Sequence, residues 1–430
     1  MVQNSDEKLP HIFLIVVDTL RSDYSQYLKD KISSMGFKSY ENVIAPSPWT
    51  IPSHVSLLTG LYSWFHKAHE TQKIKIPYIR FNKKDLLMNN ILLEYRYRTH
   101  LLSANMFIGP YFGFKSFDSY RDISIPYYLR GTNFLNLKYN KVINKQSEIR
   151  YTLIFLRELL KTKSLSLIFR GATSYAIEWL KKPVDKGIDN LIKIIKNDIS
   201  LEDSSHFFLI NLMEIHEPYM RGEKTSVVRN NNRKGHKPPE KYVKIWKNRY
   251  PLHVKYLSNK LLQFLKVLQD KGCYDNSFII ITSDHGQLLG EHDSIGHGTY
   301  LYDELLRVPL FIKYPEKMQV NVHSDAHDKY ISLVNIPHFI LDALQNNEAR
   351  ESLLYEDIVF AESYGIPEDI KPTTNEEREH MKNLDKHRIA IYYKGTKSIF
   401  NVSEFKFEQV DPEVKDYVRR KVINFLRLGI

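Results

Sequence analysis

Three polar clusters in this chain carry groups suited to ester chemistry. Asp18 closes the apolar run His11–Val17. Glu214 and His216 follow the run His206–Leu212. Asp284 and His285 follow the run Ser277–Ile281, with His292 and His297 just beyond in a Gly-rich loop. Carboxylate and imidazole together make a mixed oxygen and nitrogen donor set. Such a set suits Zn²⁺ or Mn²⁺, and Mg²⁺ or Ca²⁺ less well. A metal held there lowers the pKa of a bound hydroxyl and polarises an ester oxygen. A fourth cluster, Ser47 to Gly60, places Thr50 just before a predicted helix. Pro52 suits the first helical turn and Gly60 the far end. Free N–H groups and the helix dipole make an anion site at such a start. Thr50 reads either as an ordinary cap or as a nucleophile that a metal or base must ionise. Each Asp and His, taken singly, also reads as a cap, an ion-pair partner or a core histidine.

The elements behind these residues read as an α/β protein. The three runs are apolar nearly throughout, the pattern of strands buried on both faces of a parallel sheet. Parallel strands present their carboxyl ends on one edge, where open α/β sheets bind ligands. Asp18, Glu214 with His216, and Asp284 with His285 can therefore converge. Thr19–Asp23 is expected to open a helix. Further helices are predicted over 89–97, 148–160, 173–181, 187–196, 254–269, 333–344 and 412–428, and strands over 98–103 and 308–313. Residues of about 120–172 are expected to form a helical insertion. Arg221 to Arg249 reads as a basic, Pro/Asn-rich loop rimming the pocket, with Arg229, Arg233, Lys234 and Lys237 guiding an anionic substrate. From 346 to 430 the chain turns more charged, with short strands over 389–393, 398–401 and 405–410, and is expected to form a smaller α+β subdomain.

Composition narrows the classes. The 430 residues are 43% hydrophobic and 26% charged, ordinary for a globular chain. No apolar run approaches the ~18 residues that span a bilayer. The first ten residues are polar, without a signal-like apolar stretch, so a cytoplasmic protein is expected. Cys273 is the sole cysteine, which excludes an intrachain disulfide and a Cys-rich zinc site. A net charge of +11 favours anionic partners. The expected substrate is an anionic small molecule, glycan or lipid-headgroup ester; nucleic acid is not indicated. Walker, dinucleotide and G-x-S-x-G motifs are absent.

Thr50-x-Pro-Ser-His54-x-x-Leu-x-Thr-Gly60 resembles the sulfatase signature Cys/Ser-x-Pro-Ser-Arg-x-x-x-x-Thr-Gly. Val17-Asp18-Thr-Leu-Arg21-x-Asp23, Glu214-Ile-His216-x-Pro-Tyr219, Thr282-Ser-Asp-His-Gly286, Leu289-Gly-Glu-His292 and Arg307-Val-Pro-Leu310 resemble further sulfatase motifs, in the family's order. The chain is thus similar to the sulfatase-like branch of the alkaline phosphatase superfamily over about residues 11–345. That resemblance implies a mixed, largely parallel sheet between helices, with 1–345 as catalytic domain and 346–430 as C-terminal subdomain. It implies a metal held by Asp18, Thr50, Asp284 and His285, with Thr50 as nucleophile. His216 and His297 are then expected to bind the leaving group or substrate oxygens, or a second metal. Two departures matter. Thr50 cannot become the formylglycine of sulfatases, and His54 stands where their Arg does, replacing its charge if protonated. Threonine instead resembles the phosphodiesterase and phosphoethanolamine- or phosphoglycerol-transferase relatives. The expected activity is hydrolysis or transfer of phosphate or sulfate esters, phosphoesters favoured. The rival readings are a sulfatase working without formylglycine and a non-catalytic metal-containing binding protein.

Overall fold

The apolar runs pair with one another in the core of the molecule. In the computed structural model, which describes residues 8–76, 78–79, 88–124, 185–219, 223–323 and 328–428, ten strands lead up to and surround the site. They are β1 (His11–Val17), β2 (Lys38–Tyr40), β3 (Val43–Ile44), β4 (Arg98–Ser103), β5 (Ser119–Asp122), β6 (His206–Leu212), β7 (Ser277–Thr282), β8 (Leu288–Leu289), β9 (Ile295–Gly296) and β10 (Leu310–Lys313). Seven form one sheet in the order β2-β10-β7-β1-β6-β4-β5. β1 pairs in parallel with β6 and β7, and β4 in parallel with β5 and β6. β10 alone runs against its neighbours. The mixed, largely parallel α/β sheet is the one expected.

β1 shows why its sequence gives a central strand. Ile12, Leu14 and Val16 pack into the core on one face, and Phe13, Ile15 and Val17 into the core on the other. Each such fully buried side chain stabilises the fold by roughly 1.5–3 kcal/mol. The helix Thr50–Thr59 covers the first face through Ile51, Val55 and Leu58. The helix Glu240–Asp270 covers the second through Trp246, Tyr250, Leu257 and Leu261. The register sets Val17 beside Leu212 and Val16 beside Thr282. Asp18, the residues after Leu212 and those after Thr282 therefore leave the sheet at the same edge.

Four antiparallel strands, Ile358–Ser363, Arg388–Tyr393, Thr396–Asn401 and Lys406–Gln409, form the small C-terminal sheet. The helix Lys415–Arg427 packs on it through Val418, Val422 and Phe425. The hairpin at Lys394-Gly395 has positive φ at both residues (46° and 72°), as a two-residue turn between twisted strands requires.

Several expectations need correction. Thr19–Asp23 does not open a helix: Thr19 sits at φ 66°, a short 3₁₀ turn covers Ser22–Tyr24, and the α-helix begins at Gln26. Arg221–Arg249 is not a loop. The helix Thr225–Arg233 occupies part of it, and the long helix already starts at Glu240. Pro251 lies inside that helix on its exposed side. The proline removes one backbone hydrogen bond, but buried Trp246, Tyr250, Val254 and Leu257 on the other side carry the helix through it. The strand Ile358–Ser363 and the helix Asn375–Leu384, capped by Thr374 accepting from the Glu377 N–H, were not anticipated. The expected helices over 148–160 and 173–181, and the expected insertion from residue 125 to 172, lie outside the described residues.

Candidate active site

The strand-end groups converge as the sequence predicted, with one exception. Asp18, Asp284 and His285 are fully buried and bring one donor atom each within 4.8 Å of one another. His285 Nε2 lies 3.7 Å from Asp18 Oδ1 and 3.5 Å from Asp284 Oδ2. Both of those carboxylate oxygens are buried with no hydrogen-bond partner. Their second oxygens are satisfied: Asp18 Oδ2 accepts from Asn105 Nδ2 at 2.8 Å, and Asp284 Oδ1 from the Thr19 and His285 N–H groups at 3.3 and 3.0 Å. His285 Nδ1 donates to the Gly286 carbonyl at 2.9 Å, which leaves the Nε2 lone pair facing the carboxylates. Two partnerless oxygens and one imidazole lone pair in a fully buried pocket fit a divalent cation. Without it, burial and the neighbouring Asp18 push Asp284 well above the usual carboxylate range, and burial lowers His285. Gly286 is needed for close approach, since a Cβ there would lie 2.0 Å from the Glu304 carbonyl oxygen.

Thr50 is the first residue of its helix rather than the residue before it. Trp49 holds the cap position and makes no side-chain cap bond. Gly60 closes the helix at φ 68°. Thr50 Oγ1 lies 3.3 Å from His285 Nε2, beside the carboxylate pair. A helix start there favours negative charge developing on that oxygen.

His54 is one turn further along and buried. Its Nδ1 donates to the Thr50 carbonyl at 3.0 Å and its Nε2 accepts from Asn211 at 3.2 Å. Burial lowers its pKa to about 4. A neutral, fully bonded imidazole does not replace the charge of the family's Arg; it braces the first helical turn against β6. Glu214, offered as a ligand, is the exception at the strand ends. Its Oε1 accepts from Lys186 and Ile188 N–H groups at the start of the helix Ile188–Asn197, away from the carboxylate pair. His292 is exposed, stacked on Tyr302 and near Glu304, so it is outside the site.

His216 and His297 line a cavity of ≈270 Å³ together with Thr50, Trp49, Asn105, Arg229 and Arg233. The β8–β9 hairpin delivers His297, whose ring centroid lies 4.5 Å from that of His285 and 5.0 Å from that of His216. Glu217 organises this wall. Gln287 Nε2 donates to Glu217 Oε2 at 2.7 Å, so its carbonyl end must accept from His297 Nδ1, also at 2.7 Å. His216 Nδ1 donates to the Glu217 carbonyl at 2.6 Å. Both imidazoles therefore keep Nε2 unprotonated when neutral, and burial and the neighbouring His285 drive His297 well below its ordinary pKa. Burial alone would raise Glu217, but His216, Arg229 and Gln287 hold it at about 2. Among these residues His216, Glu217 and His297 form a second group of potential ligands.

Arg229 and Arg233 reach the pocket, but not as free cations. Arg229 pairs with Glu217 and Glu368, and Arg233 with Glu368 while donating to the His297 carbonyl at 2.6 Å. Lys234 and Lys237 pair with Glu377 and Asp293 and are not among the pocket lining. Pro367 and Glu368 come from the tail segment, so the pocket wall crosses the expected boundary at 345/346. Asn105, Glu217, Gln287, Asn211 and Glu368 were missed as site residues. Asn211 interrupts an otherwise apolar strand, and Glu217 and Gln287 flank motif residues; those were usable signals. Glu368 had none.

The fold and this site are those of a sulfatase-type α/β protein. The chain belongs to the Sulfatase family, whose profile matches residues 10–346. Among solved structures it is similar to the phosphonate monoester hydrolase SpPMH from Silicibacter pomeroyi, with TM-score 0.60 and 14% identity, covering 97% of this chain and 94% of that one. It is also similar to BT1596, a 2-O GAG sulfatase, with TM-score 0.62 and 12% identity, covering 98% and 93%. At these identities the likeness speaks for the fold. The uncharacterized sulfatase YidJ of Escherichia coli is 37% identical over 67 residues, 14% of each chain. An N-acetylglucosamine-6-O-sulfatase of Bacteroides thetaiotaomicron is 38% identical over 64 residues, 15% of this chain and 11% of that protein. These two alignments thus reach no more than 14% of either curated relative's length.

Proposed function

We propose that this protein is a metal-dependent hydrolase or transferase of anionic esters in which Thr50 is the nucleophile, and that phosphoesters react faster than sulfate esters. One observation carries the reading: Thr50 Oγ1 stands 3.3 Å from His285 Nε2, next to two buried carboxylate oxygens without partners. Asp18, Thr50, Asp284 and His285 would hold the cation, zinc or manganese before calcium or magnesium. When bound, it acidifies the Thr50 hydroxyl and polarises an ester oxygen. Asn105 orients Asp18, and the Gly286 carbonyl keeps the lone pair of His285 on Nε2.

Attack forms a bond from Thr50 Oγ to phosphorus and breaks the bond from phosphorus to the leaving oxygen. Water or an acceptor alcohol then attacks phosphorus and frees Thr50. His216 or His297 would take the Thr50 proton on Nε2 and pass it to the leaving oxygen, then take the proton of the incoming water or alcohol and return it to Thr50 Oγ. Sulfate is disfavoured by the nucleophile. A formylglycine diol can eliminate its bound sulfate through its second hydroxyl, and Thr50 has none. The ≈270 Å³ cavity admits a small head of the substrate, with the remainder outside. Anionic glycans and lipid headgroups both meet that description. The test is a panel of phosphate monoester, phosphate diester, phosphonate monoester and sulfate ester, offered to metal-loaded enzyme and to Thr50→Ala. Phosphoester turnover that vanishes in Thr50→Ala supports the reading. Rapid sulfate release without phosphoesterase activity overturns it.

A further inference from the structure

The helix Glu240–Asp270 buries Trp246, Tyr250, His253 and Val254, and turns Lys241, Lys244, Lys247, Leu252 and Lys255 outward. Glu240 and Asp270, at its ends, are its only acidic residues. None of these four lysines has a carboxylate partner among the described residues, whereas Lys260 and Lys266 further along pair with Asp189 and Asp270. The neighbouring helix Gln26–Ile32 widens the face: one ring, Tyr27, carries Lys31 at 5.6 Å and Lys255 at 5.7 Å. Of the nearby acids, Asp293 pairs with Lys237 and Asp23 with Arg21, Asp30 accepts from the neutral Gln26, and Glu240 opens the helix beside Lys241 and Lys244. An open cleft of ≈780 Å³ is lined by Lys237, Glu240, Lys244, Lys247, Gly290 and Asp293 among others. Gly290 and Asp293 belong to the loop that leads to His297.

Lys31, Lys241, Lys244, Lys247 and Lys255 outnumber the acids Glu240 and Asp30 on this face, repel one another and are stabilised by an anionic surface. Leu252, 52% exposed in the middle of the lysines, adds an apolar tip. We infer that this face docks on an anionic lipid bilayer, lysines at the headgroups and Leu252 at the acyl boundary. Nucleic acid fits less well: the cations are all lysine, without the fork of arginine that reads phosphate and bases, and a leucine stands at their centre. The inference concerns a surface apart from the catalytic groups and does not depend on the ester reading.

The test sediments the full chain with vesicles of phosphatidylcholine alone, or with about one third phosphatidylserine, at low and high salt. Wild type should bind the phosphatidylserine vesicles only, and lose them at high salt. With roughly fivefold affinity per lysine, the variant Lys241→Gln/Lys244→Gln/Lys247→Gln should bind about a hundredfold more weakly. Leu252→Asp should also weaken binding with an unchanged thermal midpoint, which separates docking from folding. Equal binding to neutral vesicles, no binding to either, or unchanged binding by a folded triple variant overturns the inference. So does salt-sensitive retention on duplex or single-stranded DNA with no affinity for phosphatidylserine.

Discussion

Asp284→Asn should stabilise the metal-free protein and abolish its stabilisation by metal. The Asp18 and Asp284 oxygens approach within 4.8 Å in a fully buried site. Two ionised carboxylates at that separation repel by about 3.5 kcal/mol at an effective dielectric near 20. The fold relieves part of this by raising the Asp284 pKa. The asparagine keeps the Oδ1 acceptor for the Thr19 and His285 N–H groups. Its amide can donate to Asp18 Oδ1, which has no partner. The nearby His54 Nδ1, 3.5 Å from Asp284 Oδ2, offsets some of that gain. A net gain of about 1–2 kcal/mol follows for the metal-free variant. The pH dependence has a definite sign. A raised carboxyl binds its proton more readily in the fold than in the unfolded chain. Metal-free wild type therefore loses stability as pH rises from about 3.9 to the pH at which Asp284 ionises in the fold, and the variant does not. With metal at a thousand times its Kd, wild type gains about 4 kcal/mol and the variant little. Urea unfolding in chelator and in excess zinc or manganese reads both effects. A variant that is less stable than wild type in chelator, yet is stabilised as much by metal, would refute the ligand assignment.

Further outcomes follow from particular contacts. Gln287→Leu should release the His297 tautomer and leave Glu217 short of one donor, lowering kcat about tenfold or more and flattening the pH–rate profile, while Lys234→Ala with Lys237→Ala should leave KM unchanged. Asp303 is held at about 2, because Lys397, Arg307 and Tyr392 outweigh the burial that would raise it. Its contribution is present above the ordinary carboxylate pKa of about 3.9 and is lost as pH falls toward 2, so Asp303→Asn should cost stability at pH 7 and little at pH 2. Its partial exposure keeps the effect near or below ~1 kcal/mol, measurable as a shift in unfolding midpoint.

The legible parts of the molecule were those where one local rule decides. β1, β6 and β7 are apolar on both faces and could only be central strands, so the ligand candidates at their ends followed. The Thr50 helix announced itself through Pro52 and Gly60. Failures arose where tertiary packing overrode a local signal. Pro238, Pro239 and Pro251 broke the apparent helix, but two lie before its first residue and the third faces solvent. Glu214 follows a buried strand like Asp18 and Asp284, yet the adjacent helix start claims its oxygen. His54 occupies an arginine position of the motif, but burial keeps it neutral. Glu368 lies more than seventy residues beyond His297, outside every motif, and only the fold brings it to Arg233.

In the proposed reaction Thr50 becomes covalently esterified during turnover. Metal-loaded enzyme is mixed with a phosphate diester, quenched in acid within the first turnovers, digested, and the peptide carrying Thr50 is weighed. A phosphoryl-ester adduct is expected on Thr50 in wild type, none in Thr50→Ala, and a partial signal in Thr50→Ser. Turnover by Thr50→Ala at the wild-type rate, or an adduct on His216 or His297 with Thr50 unmodified, would contradict it.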